Sequence, residues 1–373
     1  MATIAVLGAG GQTGALVVAE LRRAGHRVVA LGSGGRTAGR DEPDRDAPAP
    51  DEVTAPDEQR QIAGGVAGLA AALHGVDALV DVAGPFGPRE GAGLQAALAA
   101  GVHYLDASLE PAATAHVYEQ AGRIRRAGIT AVSAGGFPAA VLDLLGLSAL
   151  AAADGGDELH LATTFPGGGW WRHGAGPATR RILGHLLAEP LTAVVDGDLV
   201  EEPVGEARRL AWFPRPVGLA HAAGVPGTAA LSAHRRAPEL VVVREYLAMS
   251  GWRAELLQLG ASTTGWAPAR RWLQARVEGL GTAPDATRRR AVRWACVAET
   301  RSEQGTVRAW ANGHDPAATS AACLAVLTDA VLADGQPGAC TPAQLAPAGR
   351  LLDELTGSRD LRWSVIRPAT TEA

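Results

Sequence analysis

The chain has 373 residues, of which 47% are hydrophobic and 20% charged, and its formal net charge is -5. This length allows two domains, and the absence of a basic tract argues against a nucleic acid as the main partner. No apolar run reaches the ~18 residues of a membrane span, so we expect a cytoplasmic protein without one.

Arginine supplies all 34 strongly basic residues, because the sequence contains no lysine. Lysine Schiff bases, P-loop phosphate binding and the Tyr-Lys pair of short-chain dehydrogenases are therefore excluded. The cysteines, Cys296, Cys323 and Cys340, are widely spaced and lack metal-ligand spacing, so we expect reduced thiols and no metal site.

The first element is the stretch TIAVLGAGGQTG at residues 3–14. An apolar strand is followed by Gly8, Gly10, Gly11 and Gly14 and by a helix predicted over residues 15–24. Gly8 permits a tight turn, Gly10 or Gly11 lets the backbone approach a pyrophosphate, and Gly14 allows close packing of helix and strand. Since a helix N-terminus attracts anions, this arrangement predicts dinucleotide binding. A Gly-rich turn without a ligand is the alternative.

The second strand, predicted over residues 26–31, indicates the choice of dinucleotide. An acidic residue usually follows this strand in NAD-specific sites, whereas here no acid occurs before Asp41. Ser33 and Arg36 can instead contact a 2′-phosphate. The pattern favours NADP(H) over NAD, the alternative being a turn with a solvated arginine.

The elements that follow alternate between strands and helices. Strands are predicted at residues 52–56, 77–83, 103–107 and 129–134, and helices at residues 59–74, 92–100 and up to 127. Residues 37–52 are predicted to be a surface loop. This alternation predicts an α/β fold, a doubly wound parallel Rossmann sheet whose ligands bind at the carboxyl ends of the strands.

Residues 84–110, GPFGPREGAGLQAALAAGVHYLDASLE, resemble the signature of the saccharopine dehydrogenase-like family, and residues 133–146, SAGGFPAAVLDLLG, resemble its next strand and turn. Weaker similarity continues over residues 174–200 and 313–332. The family includes saccharopine reductases, carboxynorspermidine dehydrogenases and trans-acting enoyl reductases. The resemblance implies NADP binding and a soluble homodimer, and it specifies the substrate poorly.

The resemblance also implies the domain organisation and part of the site. A Rossmann domain at residues 1–146 precedes an α+β substrate domain with a mainly antiparallel sheet at residues 147–313. Residues 314–373 return to the Rossmann domain. The residues expected to line the dinucleotide are Gly8, Gly10, Gly11, Gln12, Thr13, Gly14, Ser33, Arg36, Ala83, Gly84, Pro85, Phe86 and Asp106.

The second domain contains most of the nine tryptophans. A core or dimer interface explains any single one, but Trp170 and Trp171 follow a glycine run and are predicted to form a lid. Strands are predicted at residues 159–165, 193–195, 240–246, 293–300 and 306–311, and helices at residues 317–332 and 342–356. The candidate substrate-binding residues are Phe137, Asp143, Trp170, Trp171, Arg172 and Arg180.

The chemistry needs a positioned acceptor and a proton donor, because the nicotinamide carries the hydride. The candidate donors are Asp106, Glu110 and His173. Alternatively, Asp106 caps the following turn, Glu110 lies at the entry to a helix, and His173 is a loop residue without a catalytic role. The Trp-rich domain favours an apolar or aromatic acceptor in specialised metabolism. The sequence does not decide whether the reduced bond is C=C, C=O or C=N. Reduction of an amino-acid-derived imine is one alternative, and a non-catalytic NADP-binding sensor is another.

Overall fold

The structure is a computed structural model that describes residues 1–33, 55–86, 91–167, 190–249, 284–302, 305–358 and 361–368, together with residues 170, 176, 179, 180, 182 and 184. The chain divides into two compact units. Unit 1 comprises Met1–Ser108, Ala112–Phe137 and Ala317–Leu345. Unit 2 comprises Leu109–Pro111, Pro138–Pro316 and Ala346–Ala373.

Unit 1 contains a seven-stranded parallel sheet in the order β15-β6-β5-β4-β1-β2-β3. The strand Thr3–Leu7 lies inside this sheet and is buried over its last four residues, as a strand covered on both faces should be. The doubly wound parallel sheet predicted from the sequence is thereby confirmed. The strands are β1 (Thr3–Leu7), β2 (Arg27–Ser33), β3 (Glu58–Ile62), β4 (Ala78–Asp81), β5 (His103–Asp106), β6 (Thr130–Val132) and β15 (Gly338–Cys340).

The helices beside this sheet connect consecutive strands. One core cluster joins Leu7 of β1 to Leu69, Leu94 and Ile124 of three different helices, so a single apolar layer holds the strand ends in register. The helices are α1 (Gln12–Arg23), α2 (Gly65–Ala72), α3 (Ala92–Ala100), α4 (Pro111–Glu119), α5 (Ala121–Arg126) and α9 (Pro316–Asp334).

Unit 2 contains a nine-stranded sheet in which β10-β11-β12-β7-β13-β14-β16 form the main path and β8 joins β12 to β9. Among the strand pairs that the structure describes in this sheet, only that of β12 with β7 is parallel, so the predicted, mainly antiparallel second sheet is confirmed. The strands are β7 (Glu158–Thr164), β8 (Leu191–Val195), β9 (Asp198–Glu202), β10 (Arg208–Phe213), β11 (Gly218–Gly224), β12 (Val242–Ala248), β13 (Arg293–Ser302), β14 (Gly305–His314) and β16 (Arg362–Ile366).

The two faces of this second sheet are used differently. Helix α6 (Ala139–Ala152) packs on one face, where a Cβ added at Gly146 would lie 3.2 Å from Cδ2 of Leu159. The other face carries a second apolar cluster that includes Phe213, Tyr246 and Val297. The remaining described helices are α7 (Ala229–Arg236), α8 (Ala286–Arg290) and α10 (Ala348–Ser358).

Several element boundaries differ from the sequence-based prediction. The helix predicted from residue 59 is wrong at its start, because residues 58–62 form β3 and pair with β2, and α2 begins only after Gly64 and Gly65, which both have positive φ. Strands β9, β10, β11, β15 and β16 were not predicted. The predicted helix from residue 342 is a 3-10 turn capped by Thr341, followed by α10.

The predicted domain limits at residues 146 and 313 differ from the limits of the compact units. Residues 138–146 belong with unit 2, and residues 346–373 also belong there. The assignment of one unit to the coenzyme and the other to the substrate stays a prediction. Most of the predicted loop at residues 37–52 lies outside the described residues.

Helix α9 is long and apolar enough, by length and mean hydropathy, to cross a membrane. However, 78% of its most apolar window is buried inside the folded chain. Burial of that extent is typical of the central helix of a globular core, so this helix is weak evidence for a membrane span.

Candidate functional site

The turn between β1 and α1 is built by two glycines that no other residue can replace without movement. Gly8 has φ +91°, and a Cβ added there would lie 2.9 Å from the nitrogen of Ala83. A Cβ added at Gly14 would lie 2.0 Å from the carbonyl oxygen of Gly8. The Gly11 N–H donates to that same carbonyl at 3.0 Å. The turn is therefore a tight backbone structure in which helix and strand are in direct contact.

The N-terminus of α1 begins at this turn and is suited to an anion. Its N-cap, Gly11, is extended and contributes no side-chain cap, and the first turn contains no acidic residue. Gly10 and Gly11 are exposed, and a Cβ at Gly10 would meet nothing within 4 Å. Gln12 and Thr13 follow, half-buried. Main-chain N–H groups and the positive end of the helix dipole thus face open space, as a pyrophosphate requires.

The end of β4 lies against this turn. Ala83 is the residue that approaches Gly8, and its N–H donates to Oδ1 of Asp81 at 3.0 Å. Asp81 is 1% exposed. Its carboxylate therefore fixes the chain just before Gly84-Pro85, which is joined by a cis peptide bond, and Phe86, which is 7% exposed. The structure thus brings the predicted segment 83–86 to the glycine turn.

Asp81 was not among the residues predicted from the sequence. It lies in the apolar run DALVDVA. An acidic residue at a buried strand position was the one sequence signal that could have marked it as a site residue. Buried carboxylates are rare unless they accept hydrogen bonds, so its place between Val80 and Val82 marks a structural or functional role.

Asp106 ends β5 and pairs in register with Asp81. Its Oδ1 accepts hydrogen bonds from the N–H of Ser108 and of Ala134, both at 2.9 Å, and from Oγ of Ser133 at 3.1 Å. Burial raises the pKa of this carboxyl to about 6, with a smaller contribution from the charge of Asp81, and the hydrogen bonds oppose this shift. Asp106 ties the ends of β5 and β6 together and has a pKa suited to proton transfer. Its predicted catalytic and coenzyme-binding roles stay predictions.

The other predicted site residues are dispersed. Phe137 is 6% exposed, and its N–H donates to Oγ of Ser320 at 3.0 Å. Glu110 is half-buried at the entry of α4. Asp143 forms a buried ion pair with Arg236, their side chains being 4% and 7% exposed. A predicted substrate contact through Asp143 would therefore involve a carboxylate that is already paired.

In unit 2, the described part of the predicted aromatic lid is Trp170. Its ring stacks on Phe165, with centroids 4.3 Å apart and an interplanar angle of 10°. Arg180 is 1% exposed, and its N–H donates to the carbonyl of Gly176 at 3.0 Å. The predicted residues Arg36, Trp171, Arg172 and His173 lie outside the described residues, as does the side chain of Ser33.

A cluster of polar side chains on one face of the second sheet was not predicted. Glu299 of β13 pairs with Arg209 of β10 and with Nε of Arg308, the latter at 2.6 Å. His160 of β7 lies beside them, with its ring 5.9 Å from that of Tyr246. The partners are up to 90 residues apart in sequence, so no local pattern could reveal them.

Burial and charge set the pKa values in this cluster. Burial lowers the pKa of His160 to about 4, and the positive charge of Arg209 acts in the same direction. Burial raises the pKa of Glu299, but Arg209 and Arg308 more than offset this effect, so the net pKa lies below its ordinary value. At neutral pH the cluster therefore holds a neutral imidazole beside an ionised carboxylate.

Among the residues that the structure describes, no three His, Cys, Asp or Glu side chains are grouped so that they could hold a metal ion. The three cysteines are free thiols, and burial raises the pKa of Cys323 to about 12.

Comparison with known families identifies the first part of the chain. Residues 4–132 match the family model described as the saccharopine dehydrogenase NADP binding domain. The search of curated proteins found no match. The match confirms the predicted resemblance and the predicted coenzyme, because this part of the chain is an NADP-binding domain of the saccharopine dehydrogenase type.

Solved structures show the same fold over the whole chain. The apo, histidine-tagged saccharopine dehydrogenase (L-Glu forming) from Saccharomyces cerevisiae has a TM-score of 0.59 and 12% identity, covering 98% of this chain and 100% of that one. A probable dehydrogenase from Thermotoga maritima covers 97% of this chain and 98% of that one at 10% identity, but its TM-score of 0.39 carries no argument. The yeast structure shows the fold alone. The match to the NADP-binding domain model supports an NADP-dependent oxidoreductase.

Proposed function

We propose that this NADP-dependent oxidoreductase works as a reductase, transferring hydride from NADPH to a polarised C=C, C=O or C=N bond of a relatively apolar or aromatic small molecule in specialised metabolism. The observation that carries the proposal is the N-terminus of α1, which has no side-chain cap and is open at Gly10, in a domain of the NADP-binding type. We further propose a cytoplasmic homodimer, as the family resemblance implies.

NADPH supplies the hydride when it is bound. The chain's own residues bind and orient it. The N–H groups of Gln12 and Thr13 hold the pyrophosphate, and the segment 83–86, fixed by Asp81, borders the nicotinamide half. Ser33 and Arg36 hold the 2′-phosphate.

Asp106 is the proton-holding group that we propose for unit 1. Its pKa of about 6 keeps a fraction of the carboxyl protonated near neutral pH. Glu110 and His173 are the other candidates for the donor. Because Asp106 is 1% exposed, a role in proton transfer requires a relay through the hydroxyl of Ser133, whose hydrogen bond it accepts.

Two features support an apolar acceptor over a substrate with several carboxylates. Trp170 stacks on Phe165 next to the glycine run, which gives unit 2 a flat aromatic surface. Arg180 is the candidate carboxylate-binding arginine that lies among the described residues. It is buried and already takes part in another interaction. An arginine in that position is a poor clamp for an incoming carboxylate.

The coenzyme assignment is tested with Arg36→Ala. We expect this variant to bind NADPH at least tenfold more weakly and to bind NADH unchanged, since only NADPH carries the 2′-phosphate. Isothermal titration calorimetry measures both affinities. An equal loss for both coenzymes would refute the assignment.

The reaction class is tested by NADPH oxidation with a panel of enones, aryl ketones, cyclic imines and 2-oxo-acid-derived imines. We expect turnover of an apolar acceptor and none with the multiply carboxylated imines. Turnover of those imines alone would support the saccharopine-reductase-like alternative. Tight NADPH binding without turnover of any acceptor would support a non-catalytic sensor.

A further inference from the structure

Strand β10 lies at one end of the nine-stranded sheet of unit 2, among the strands that the structure describes. It pairs on one side with β11, where Arg209 is opposite Ala222 and Ala211 is opposite Ala220. The other side of β10 is therefore an edge of the described sheet. The N–H and C=O groups along such an edge can form a ladder with a strand of another chain.

The hydrogen bonds of β11 show which residues of β10 face this edge. The N–H of Val225, just after β11, donates to β12 at 3.1 Å, so the odd-numbered residues of β11 face β12. The even-numbered residues face β10, and the N–H of Gly224 accordingly donates to the carbonyl of Ala207 at 2.8 Å. Because the direction of these groups alternates along a strand, every second residue of β10 points away from β11. The residues whose N–H and C=O groups point to the edge are Arg208, Leu210 and Trp212.

The side chains beside this edge are apolar and exposed. Leu210 is 55% exposed, and Leu219, which lies opposite Trp212 on β11, is 68% exposed. Among the described residues these are the most exposed large apolar side chains after Met1. Edge strands often carry lysine or proline, which hinder pairing with another chain, and the β10 sequence RRLAWF contains neither. The edge is therefore open to pairing and has an apolar surface to bury.

The charges beside β10 favour a second copy of the same strand as the partner. Glu206 precedes β10 and Arg215 follows it, and both side chains are exposed. When two copies of β10 run antiparallel, Glu206 of each copy lies near Arg215 of the other, at both ends of the contact. Pairing centred on Leu210 also places Arg208 opposite Trp212 and not opposite another arginine. Opposite charges across strands are favourable, and like charges directly opposite are not.

Two other described strands at ends of this sheet lack these features. Strand β9 pairs with β8, and its sequence DLVEE is acidic. Antiparallel pairing of β9 with a second copy, centred on Val200, would place Asp198 opposite Glu202, and this repulsion opposes it. Strand β16 has the exposed polar residue Ser364 at its centre, so pairing there would gain no central apolar contact.

We propose that β10 pairs antiparallel with β10 of a second copy of this chain, about a two-fold axis at Leu210. Residues 208, 210 and 212 of one copy then lie opposite residues 212, 210 and 208 of the other and exchange about six main-chain hydrogen bonds. The contact uses the same patch on both copies, as a two-fold symmetric dimer requires. This inference rests on the homodimer proposed above, names its contact, and holds whichever acceptor the chain reduces.

Sedimentation equilibrium of the full chain measures the dimer dissociation constant. Leu210→Asp replaces the apolar contact at the axis with two carboxylates and should raise this constant about tenfold or more. Leu199→Asp is the matched control, because Leu199 is also an exposed strand leucine of unit 2, 42% exposed on β9, and it should leave the constant unchanged. Both variants should keep the wild-type circular dichroism and NADPH affinity, which shows that they fold.

Charge reversal gives a second test that leaves β10 itself unaltered. Glu206→Arg alone and Arg215→Glu alone bring like charges together at both ends of the contact, and each should raise the dimer dissociation constant about threefold or more. The two substitutions combined should restore the wild-type value. Single effects without this rescue would overturn the antiparallel arrangement.

The remaining outcomes separate this inference from the proposed function. A wild-type chain that is monomeric at every concentration but binds NADPH would overturn the inference and the homodimer, and would leave the coenzyme assignment intact. A wild-type dimer that Leu210→Asp does not weaken would overturn the β10 contact alone. Equal weakening by Leu210→Asp and Leu199→Asp would do so as well.

Discussion

The end of the parallel sheet in unit 1 and the polar face of the sheet in unit 2 are built in different ways. In unit 1 the backbone makes the surface, because Gly8 and Gly14 allow strand, turn and helix to touch. In unit 2 side chains make it, through Glu299, Arg209 and Arg308 on three separate strands. Where backbone segments touch, as at Gly8 and Gly14, an added side-chain atom forces them apart, whereas a surface made by side chains loses one interaction at a time.

The most damaging change on this view is Gly14→Ala. Its added Cβ would lie 2.0 Å from the Gly8 carbonyl oxygen, so α1 must move away from β1. We expect a loss of roughly 3 kcal/mol in the free energy of unfolding of unit 1, as for overpacking of a core, and loss of measurable NADPH binding. Hydrogen exchange of the β1 amides and calorimetry with NADPH measure the two effects.

Gly10→Ala is the matched control, because its added Cβ meets nothing within 4 Å. We expect this variant to keep the wild-type exchange rates in β1 and to differ from wild type only in coenzyme affinity. Wild-type NADPH affinity in Gly14→Ala would contradict the claim that contact between helix and strand builds the binding surface.

The same contrast explains what could be predicted from the sequence. The glycines of residues 8–14 are close together in the sequence, so their spacing alone predicted the β1–α1 turn and the coenzyme class. The contact of Gly8 with Ala83 follows from the order of parallel strands. The Glu299 pairs could not be predicted, because they depend on the register of β10, β13 and β14, and β10 itself was missed.

Buried carboxyls give a second contrast between the units. Asp106 of unit 1 accepts three hydrogen bonds, and its pKa rises to about 6. Glu245 of unit 2 accepts one from Ala229 at 3.2 Å, and burial raises its pKa to about 7. Hydrogen bonds to the ionised form oppose the effect of burial, and burial is the larger effect for both carboxyls.

We expect Glu245→Gln to remove a pH-dependent loss of stability. Because the folded pKa of about 7 exceeds the ordinary pKa of 4.5, the native state retains a proton that the unfolded chain loses. Stability therefore falls as pH rises from 4.5 to 7, by up to about 3 kcal/mol. The variant should show a correspondingly smaller difference between the free energies of unfolding at pH 5 and pH 8.

Urea unfolding followed by tryptophan fluorescence makes this measurement, because all nine tryptophans lie in the ranges of unit 2. Glu239→Gln is the control, since Glu239 is exposed, and it should reproduce the wild-type pH dependence. An unchanged pH dependence in Glu245→Gln would show that folding does not raise the pKa of the Glu245 carboxyl.

The smallest expected effect concerns the polar face of unit 2. Glu299→Ala leaves Arg209 and Arg308 without their shared carboxylate, whose side chain is 12% exposed in the wild type. We expect a loss of about 2 kcal/mol in the free energy of unfolding at pH 7, measured by urea unfolding with tryptophan fluorescence. The loss should shrink at acidic pH, because Glu299 has a lowered folded pKa and its contribution disappears as pH falls through that value.

Glu354→Ala provides the matched pair on the surface of the same unit. Glu354 binds Nε of Arg350 at 2.9 Å, but its side chain is 39% exposed, and its removal should cost less than about 0.5 kcal/mol. Both variants delete one ion-paired glutamate, but Glu299 is more buried and has two arginine partners where Glu354 has one, so its removal should cost more. If the two losses were equal, the Glu299 cluster would be an ordinary surface feature, and the contrast between a backbone-built and a side-chain-built region would hold for unit 1 alone.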